Sequence, residues 1–222
     1  MFVGHYGVSY LVKAKERTIP LWLLFVAVQL VDVVWAVLVM LGIEKVRIVP
    51  GITATNPLDL YYMPYTHSLV ATGVWFGLAF GAYRVWAGRT AAPGARVTRA
   101  AVWVGVAVAS HWFLDLLVHR PDLPLYDDAY KVGLGLWNYA VPAFLLEVLF
   151  LFGGMALYLR ATTPRSCAGR WGMPLFGLVM VAMQASVLFG PPPPSPAAIA
   201  GTALGSYLVF AALIVRLERA RA

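Results

Sequence analysis

RAAVWVGVAVASHWFLDLLV, residues 99–118, is a single apolar run that opens on Arg99 and carries His111 and Asp115 towards its far end. Crossing roughly 30 Å of hydrocarbon takes a helix of about 20 residues, so this run is long enough to span a bilayer. The two ionisable residues sit four apart, which puts them on one helical stripe. Leaving such groups against lipid is costly, so that stripe is expected to face other helices. The reading that follows is a membrane-spanning helix with a polar spot turned inward.

Working outward, comparable runs occupy 20–43, 66–87, 133–159, 171–190 and 197–216, which makes six spans in all. Pro and Gly punctuate the gaps, most clearly in Pro191 to Pro194, which cannot continue a helix. Residues 1–12 form a shorter apolar stretch with Lys13, Lys15 and Arg17 after it rather than before it, so it does not read as a cleaved signal and is expected to be retained. It is too short to span. It either lies along the interface or dips inward, and Gly4 and Gly7 around His5 favour the second by allowing close helix packing. The predicted fold is all-α, a polytopic membrane helical bundle of about six transmembrane helices plus a short N-terminal re-entrant or interfacial helix. We expect one integral membrane domain over 1–222, with the ligand-bearing part in 1–150 and accessory helices at 171–190 and 197–216.

Composition agrees: 61% of the 222 residues are hydrophobic and 12% are charged, which suits a bilayer rather than water as solvent. The formal net charge of +7 does not point to nucleic acid, because the basic residues close apolar runs instead of forming a patch with interleaved aromatics. They orient the bundle. Lys13, Lys15, Arg17, Arg84, Arg89, Arg96, Arg99, Arg160, Arg165, Arg170, Arg216, Arg219 and Arg221 fall on one side, against Lys45, Arg47, Arg120 and Lys131 on the other. By the positive-inside rule both termini are cytoplasmic, and the loops at 44–65, 119–132 and 191–196 face outward. Cys167 is the single cysteine, so an internal disulfide and a thiolate zinc site are excluded and any metal must have N and O ligands.

Counting from the basic ends at about 1.5 Å per helical residue, Asp32 and His111 lie ~18 Å deep, Glu147 ~20 Å, Asp115 ~24 Å and His67 ~25 Å. His5 reaches ~12 Å on the same scale if the first stretch dips inward. These groups share one slab. His5, Asp32, His67, His111, Asp115 and His119 are the candidate ligands for a divalent metal, Zn²⁺ first and Mn²⁺ second, since imidazole with carboxylate suits both. Other readings stay open: His119 as an interfacial residue beside Arg120 and Asp122, His111 with Asp115 as a packing hydrogen bond, and Asp32 or Glu147 as protonated or proton-relaying groups. Thr66 is expected to cap the helix that starts there.

The order Gly4-His5, an Asp in the first span, Thr66-His67-Ser68, then Ser110-His111 and Asp115 resembles the YdjM-like (YbcI-like) family of bacterial inner-membrane proteins, described as metal-dependent hydrolases. The likeness covers roughly residues 1–125. It implies metal ligation by His5, Asp32, His67, His111 and Asp115, and a location in the bacterial inner membrane. The same succession also looks like the ligand order of bacterial zinc-dependent phospholipases C, which would add His119 and Glu147. Two departures from the first family's pattern are visible: Leu30-Val31-Asp32 lacks a preceding proline and an adjoining acid, and Met63-Pro64-Tyr65 stands where His-Arg commonly precedes the Thr-His-Ser motif. Each removes a ligand or phosphate contact that a two-metal site would use.

The expected function is a membrane-embedded metal-dependent hydrolase acting on a lipid or lipid-linked phosphoester with a metal-activated water. Glu147 or Asp32 would serve as general base and Arg120 as a contact to the substrate phosphate. Two alternatives use the same residues: a metal-ion or proton-coupled transporter, and a non-catalytic membrane subunit with a structural metal. The bilayer is the expected partner, and the small residues from Ala197 to Gly205 would permit a homo-oligomer.

Overall fold

The structure is a computed structural model, and it describes residues 1–89 and 94–222. Its helices are α1 (His5–Lys15), α2 (Leu21–Val28), α3 (Leu30–Met40), α4 (Pro64–His67), α5 (Leu69–Gly88), α6 (Ala95–Val118), α7 (Ala140–Ala161), α8 (Cys167–Phe189) and α9 (Pro196–Arg219). Strands β1 (Lys45–Ile48) and β2 (Leu58–Tyr62) pair antiparallel in a small hairpin, the one piece of sheet among the described residues. The chain is a polytopic helical bundle. From α5 to α9 every helix is long and apolar enough to cross a membrane, and α2 with α3 makes a sixth span if the bent pair is one. Side chains such as Leu149 and Leu208, 68% and 70% exposed, form the apolar outer surface that a bilayer covers.

The first expected span, 20–43, is not straight. It bends by 51° at Gln29, whose φ of −107° and ψ of 3° leave the helical region. Backbone groups released at such a break must find partners, because lipid supplies none. Here the Gln29 side-chain amide donates to the Phe2 carbonyl at 3.0 Å, and the Val28 carbonyl accepts from His111 Nδ1 at 2.8 Å. The expected span 66–87 starts later, at Leu69. Ser68, not Thr66, caps it by accepting from Ala71 N–H at 3.1 Å, because Pro64 opens a separate short turn that uses Thr66 elsewhere. Residues 133–139 are also loop and a short 3-10 turn rather than the start of α7.

Helix α1 enters the bundle with its first turn at the polar slab and its Lys13 at the opposite, basic end. Lys13 pairs with Glu218 at 2.6 Å, Arg99 with Glu16 at 2.7 Å, and Arg221 donates to the Gly169 and Thr162 carbonyls. Between that basic end and the polar slab lies an apolar plug that includes Tyr6, Tyr10, Phe25, Tyr158, Phe176 and Phe210. The hairpin and the loops 119–139 and 190–195 gather at the other end.

Candidate metal centre

Asp115 has the company its position on α6 predicts. Its carboxylate lies 3.1 Å from His111 Nε2, 3.2 Å from His5 Nε2, 3.5 Å from His119 Nε2 and 3.8 Å from His67 Nε2. Those are all four histidines of the chain. The Met1 amino group also pairs with it. Asp32, in the first turn of α3, lies 3.3 Å from His67 Nε2 and 3.5 Å from His111 Nε2. Each helix delivers its group by its own route: α1 by burying its first turn, α3 by the bend at Gln29, α4 by its short turn, and α6 by the four-residue spacing.

The ring orientations follow from what each Nδ1 meets. His111 Nδ1 faces the Val28 carbonyl, which can only accept, so this nitrogen carries the proton. His67 Nδ1 lies 2.7 Å from Thr66 Oγ1; that hydroxyl donates to Glu44 at 2.6 Å, so its oxygen accepts from the ring. His119 Nδ1 lies 2.9 Å from the Asp122 carboxylate. In the neutral imidazoles all three Nε2 atoms are therefore bare acceptors, and they point at carboxylates that are acceptors too. His111 Nε2 is wholly buried and makes no hydrogen bond. Buried acceptors facing acceptors need a proton or a metal cation between them.

The spacing fits one. Two groups, His5 with His111 and Asp115, and Asp32 with His67 and His111, each bring their ligand atoms within 4.8 Å of one another. Bonds of about 2.0–2.1 Å in a tetrahedron set ligand atoms roughly 3.3–3.5 Å apart. The four separations linking Asp32 and Asp115 to His67 and His111 bracket that range, from 3.1 to 3.8 Å. His5 stacks flat on His111, with centroids 4.0 Å apart, and its Nε2 touches Asp115 rather than Asp32. His119 belongs to neither group, although it reaches Asp115.

Other expected site residues stand differently. Glu147 is buried in α7, but its carboxylate already accepts from Phe2 N–H at 2.9 Å and Gly4 N–H at 2.6 Å, and Gln184 approaches at 3.5 Å. It moors the first turn of α1. Arg120 is held between Asp122 and Asp59, and Arg47 also pairs with Asp59, so hairpin and loop share a surface ion network. The cavity that reaches the cluster is not lined by Arg120.

Three further residues matter here, and two of them, Glu44 and Tyr207, were not legible in the sequence. Glu44 and Asp122 orient His67 and His119 from behind, as carboxylates do for metal-ligating imidazoles. Burial pushes the Glu44 carboxyl above its ordinary range, opposed by His67, Thr66 and the Tyr65 and Thr66 backbone. Tyr207 of α9 donates to Asp32 at 2.9 Å, so the accessory helices do touch the polar core. Spacing around His119 hinted at Asp122; nothing local hinted at Glu44 or Tyr207. Removing the hydroxyl in Thr66→Val is expected to weaken Zn²⁺ affinity about 10–100-fold, as loss of an outer partner typically does. Competition with a chelating dye measures it, and wild-type affinity would mean that His67 does not bind the ion.

The cluster opens on one side. A cavity of about 550 Å³ is lined by Asp32, His67, Asp115 and His119 at its floor and runs between α7, α8 and α9 to the loop at 50–58. Comparison of the chain with known family models, curated proteins and solved structures finds no match.

Proposed function

We propose that the chain is a membrane-embedded metal-dependent hydrolase of a lipid or lipid-linked phosphoester, related to the YdjM-like proteins it resembles and placed in the bacterial inner membrane with both termini cytoplasmic. The observation that carries the reading is the convergence of four imidazoles on the Asp115 carboxylate, floored by bare acceptors and reached by an open cavity. Zn²⁺ is the ion of first choice and Mn²⁺ the second.

His67, His111 and Asp115 would hold the ion, and His67 and Asp115 also line the cavity. A Zn²⁺ bound there lowers the pKa of a coordinated water to about 7 and polarises a phosphoryl oxygen. Asp32 lies beside these ligands with its second oxygen fixed by Tyr207, where it would act as the general base that takes a proton. His5 packs over His111 and keeps solvent off that face. Glu147 holds the start of α1 in place by accepting from the Phe2 and Gly4 N–H groups.

A transporter on the same cluster would need polar steps towards the basic end, where Tyr6, Tyr10, Phe25 and Phe176 close the bundle. A purely structural ion would be enclosed, whereas His67 and Asp115 line a cavity. Turnover of a panel of phospholipids and prenyl phosphates should vanish on chelation and return with Zn²⁺. Absence of turnover across the panel, together with ion flux in proteoliposomes, would replace the hydrolase by the transporter.

A further inference from the structure

About half of the cavity above the cluster is walled by helices that cross the membrane, and the rest by the loops at 50–58 and 190–194 and neighbouring turns. The helical wall carries Gln184, Ser186, Thr202 and Ser206 as well as an apolar stripe. Phe144 of α7, Met183 and Val187 of α8, and Ile199 and Ala203 of α9 line it, while the imidazoles and carboxylates lie at its floor. Val187 is 53% exposed and Thr202, also in the wall, is exposed as well, so the cavity breaks through the side of the bundle. Thr202 stands six residues into α9, about 9 Å along the helix at 1.5 Å per residue. At that depth an opening in the side of a spanning helix meets hydrocarbon, not water.

A second feature points to an oxygen-bearing ligand. Trp35 lines the cavity one turn from Asp32 on α3, is 6% exposed, and its indole N–H has no acceptor among the described residues. Indole N–H is a donor only, and buried donors are normally paired. A volume near 550 Å³ lies within the range of about 300–1,000 Å³ that encloses one drug-sized molecule, too little for a whole two-chain lipid.

We infer that the cavity admits a lipid sideways from the bilayer at the hairpin end, seating an anionic phosphate headgroup at the His/Asp floor beside Trp35 and one hydrocarbon chain between α8 and α9. This rests on the hydrolase reading for the identity of the headgroup. Charge complementarity selects it: a cation held by the imidazoles would attract phosphate, and the indole N–H would add a hydrogen bond to its oxygen. Any further chain of the lipid stays in the membrane.

The test needs no turnover. Zn²⁺-loaded protein in mixed micelles is irradiated with a hexadecyl phosphate carrying a diazirine at the chain end, and labelled peptides are mapped by mass spectrometry. Labelling should concentrate on the α8 and α9 segments around Val187 and Ala203 and be competed by unlabelled hexadecyl phosphate, not by inorganic phosphate. Ala203→Trp, which fills the passage, should cut it at least tenfold with metal content unchanged. Trp35→Phe keeps the ring and removes the donor, so it should weaken the apparent affinity about tenfold, the scale of a hydrogen bond to a charged group. Labelling spread evenly over α5 and the other lipid-facing helices, or wild-type labelling in both variants, would overturn the inference. Focused labelling without turnover of any phosphoester would leave the lipid route standing and remove the hydrolase; turnover of a soluble phosphoester without focused labelling would do the reverse.

Discussion

Asp115→Asn should purify without metal, whereas the wild-type chain should carry close to one equivalent of Zn²⁺ or Mn²⁺. The substitution conserves volume and leaves the α6 backbone alone, but it removes the one carboxylate that all four histidines approach. Losing an outer partner of a ligand costs about 10–100-fold in affinity, so losing the ligand itself should cost more than ~100-fold. The neighbours cannot compensate. Asp32 reaches His67 and His111, and its other oxygen is tied to Tyr207. Elemental analysis after mild purification reads the outcome directly, and chelator-sensitive turnover should disappear in parallel. An Asp115→Asn protein that keeps its full metal complement would remove the centre as drawn, and so would a wild-type protein that never contains metal. His111→Ala should match the loss, because His111 is the residue common to both ligand groups.

How far the sequence reached this centre depends on the range over which each contact acts. His111 and Asp115 were legible because four residues is one helical turn, and depth counting brought Asp32, His67 and Glu147 to their level because hydropathy marks where each span begins. The bend at Gln29 was not legible: neither Pro nor Gly marks it, and it is held by Phe2 and His111, which only the assembled bundle supplies. Thr66 and Ser68 are both sound caps, and the choice between them rests on Glu44 binding the Thr66 hydroxyl across the hairpin. Tyr207 reaches Asp32 from a helix that seemed featureless because a tyrosine in an apolar run reads as an interfacial or packing residue. Arg120 stands beside the cluster and Asp122 in sequence, and the hairpin, which local spacing does not place, also brings Asp59 against it.

Gly154→Ala should destabilise the bundle by more than its single methyl suggests, and it should loosen the metal as well. Glycine in a helix interior ordinarily costs roughly 0.5–1 kcal/mol relative to alanine, so the change would stabilise an isolated helix. Here α1 crosses α7 backbone to backbone: a Cβ on Gly154 would run into the Gly7 carbonyl, and a Cβ on Gly7 would run into that of Phe150. No side chain lies between them to turn aside, so one helix must move. Overpacking of this kind costs about 1–3 kcal/mol, and backbone on both sides places it at the upper end. In a chain of this size ~3 kcal/mol corresponds to a fall in Tm of about 6–12 °C. The motion is coupled to the centre, since α1 carries His5 and its first turn is moored by Phe2 and Gly4 to Glu147 on the same α7. Gly153 is the control within one residue: a Cβ there meets nothing within 4 Å, so Gly153→Ala should leave Tm unchanged or raise it and keep the metal. Thermal unfolding in detergent with metal analysis on both variants decides the matter. Equal Tm values for the two would mean that α1 is not seated against α7, and His5 would then have no fixed place beside Asp115.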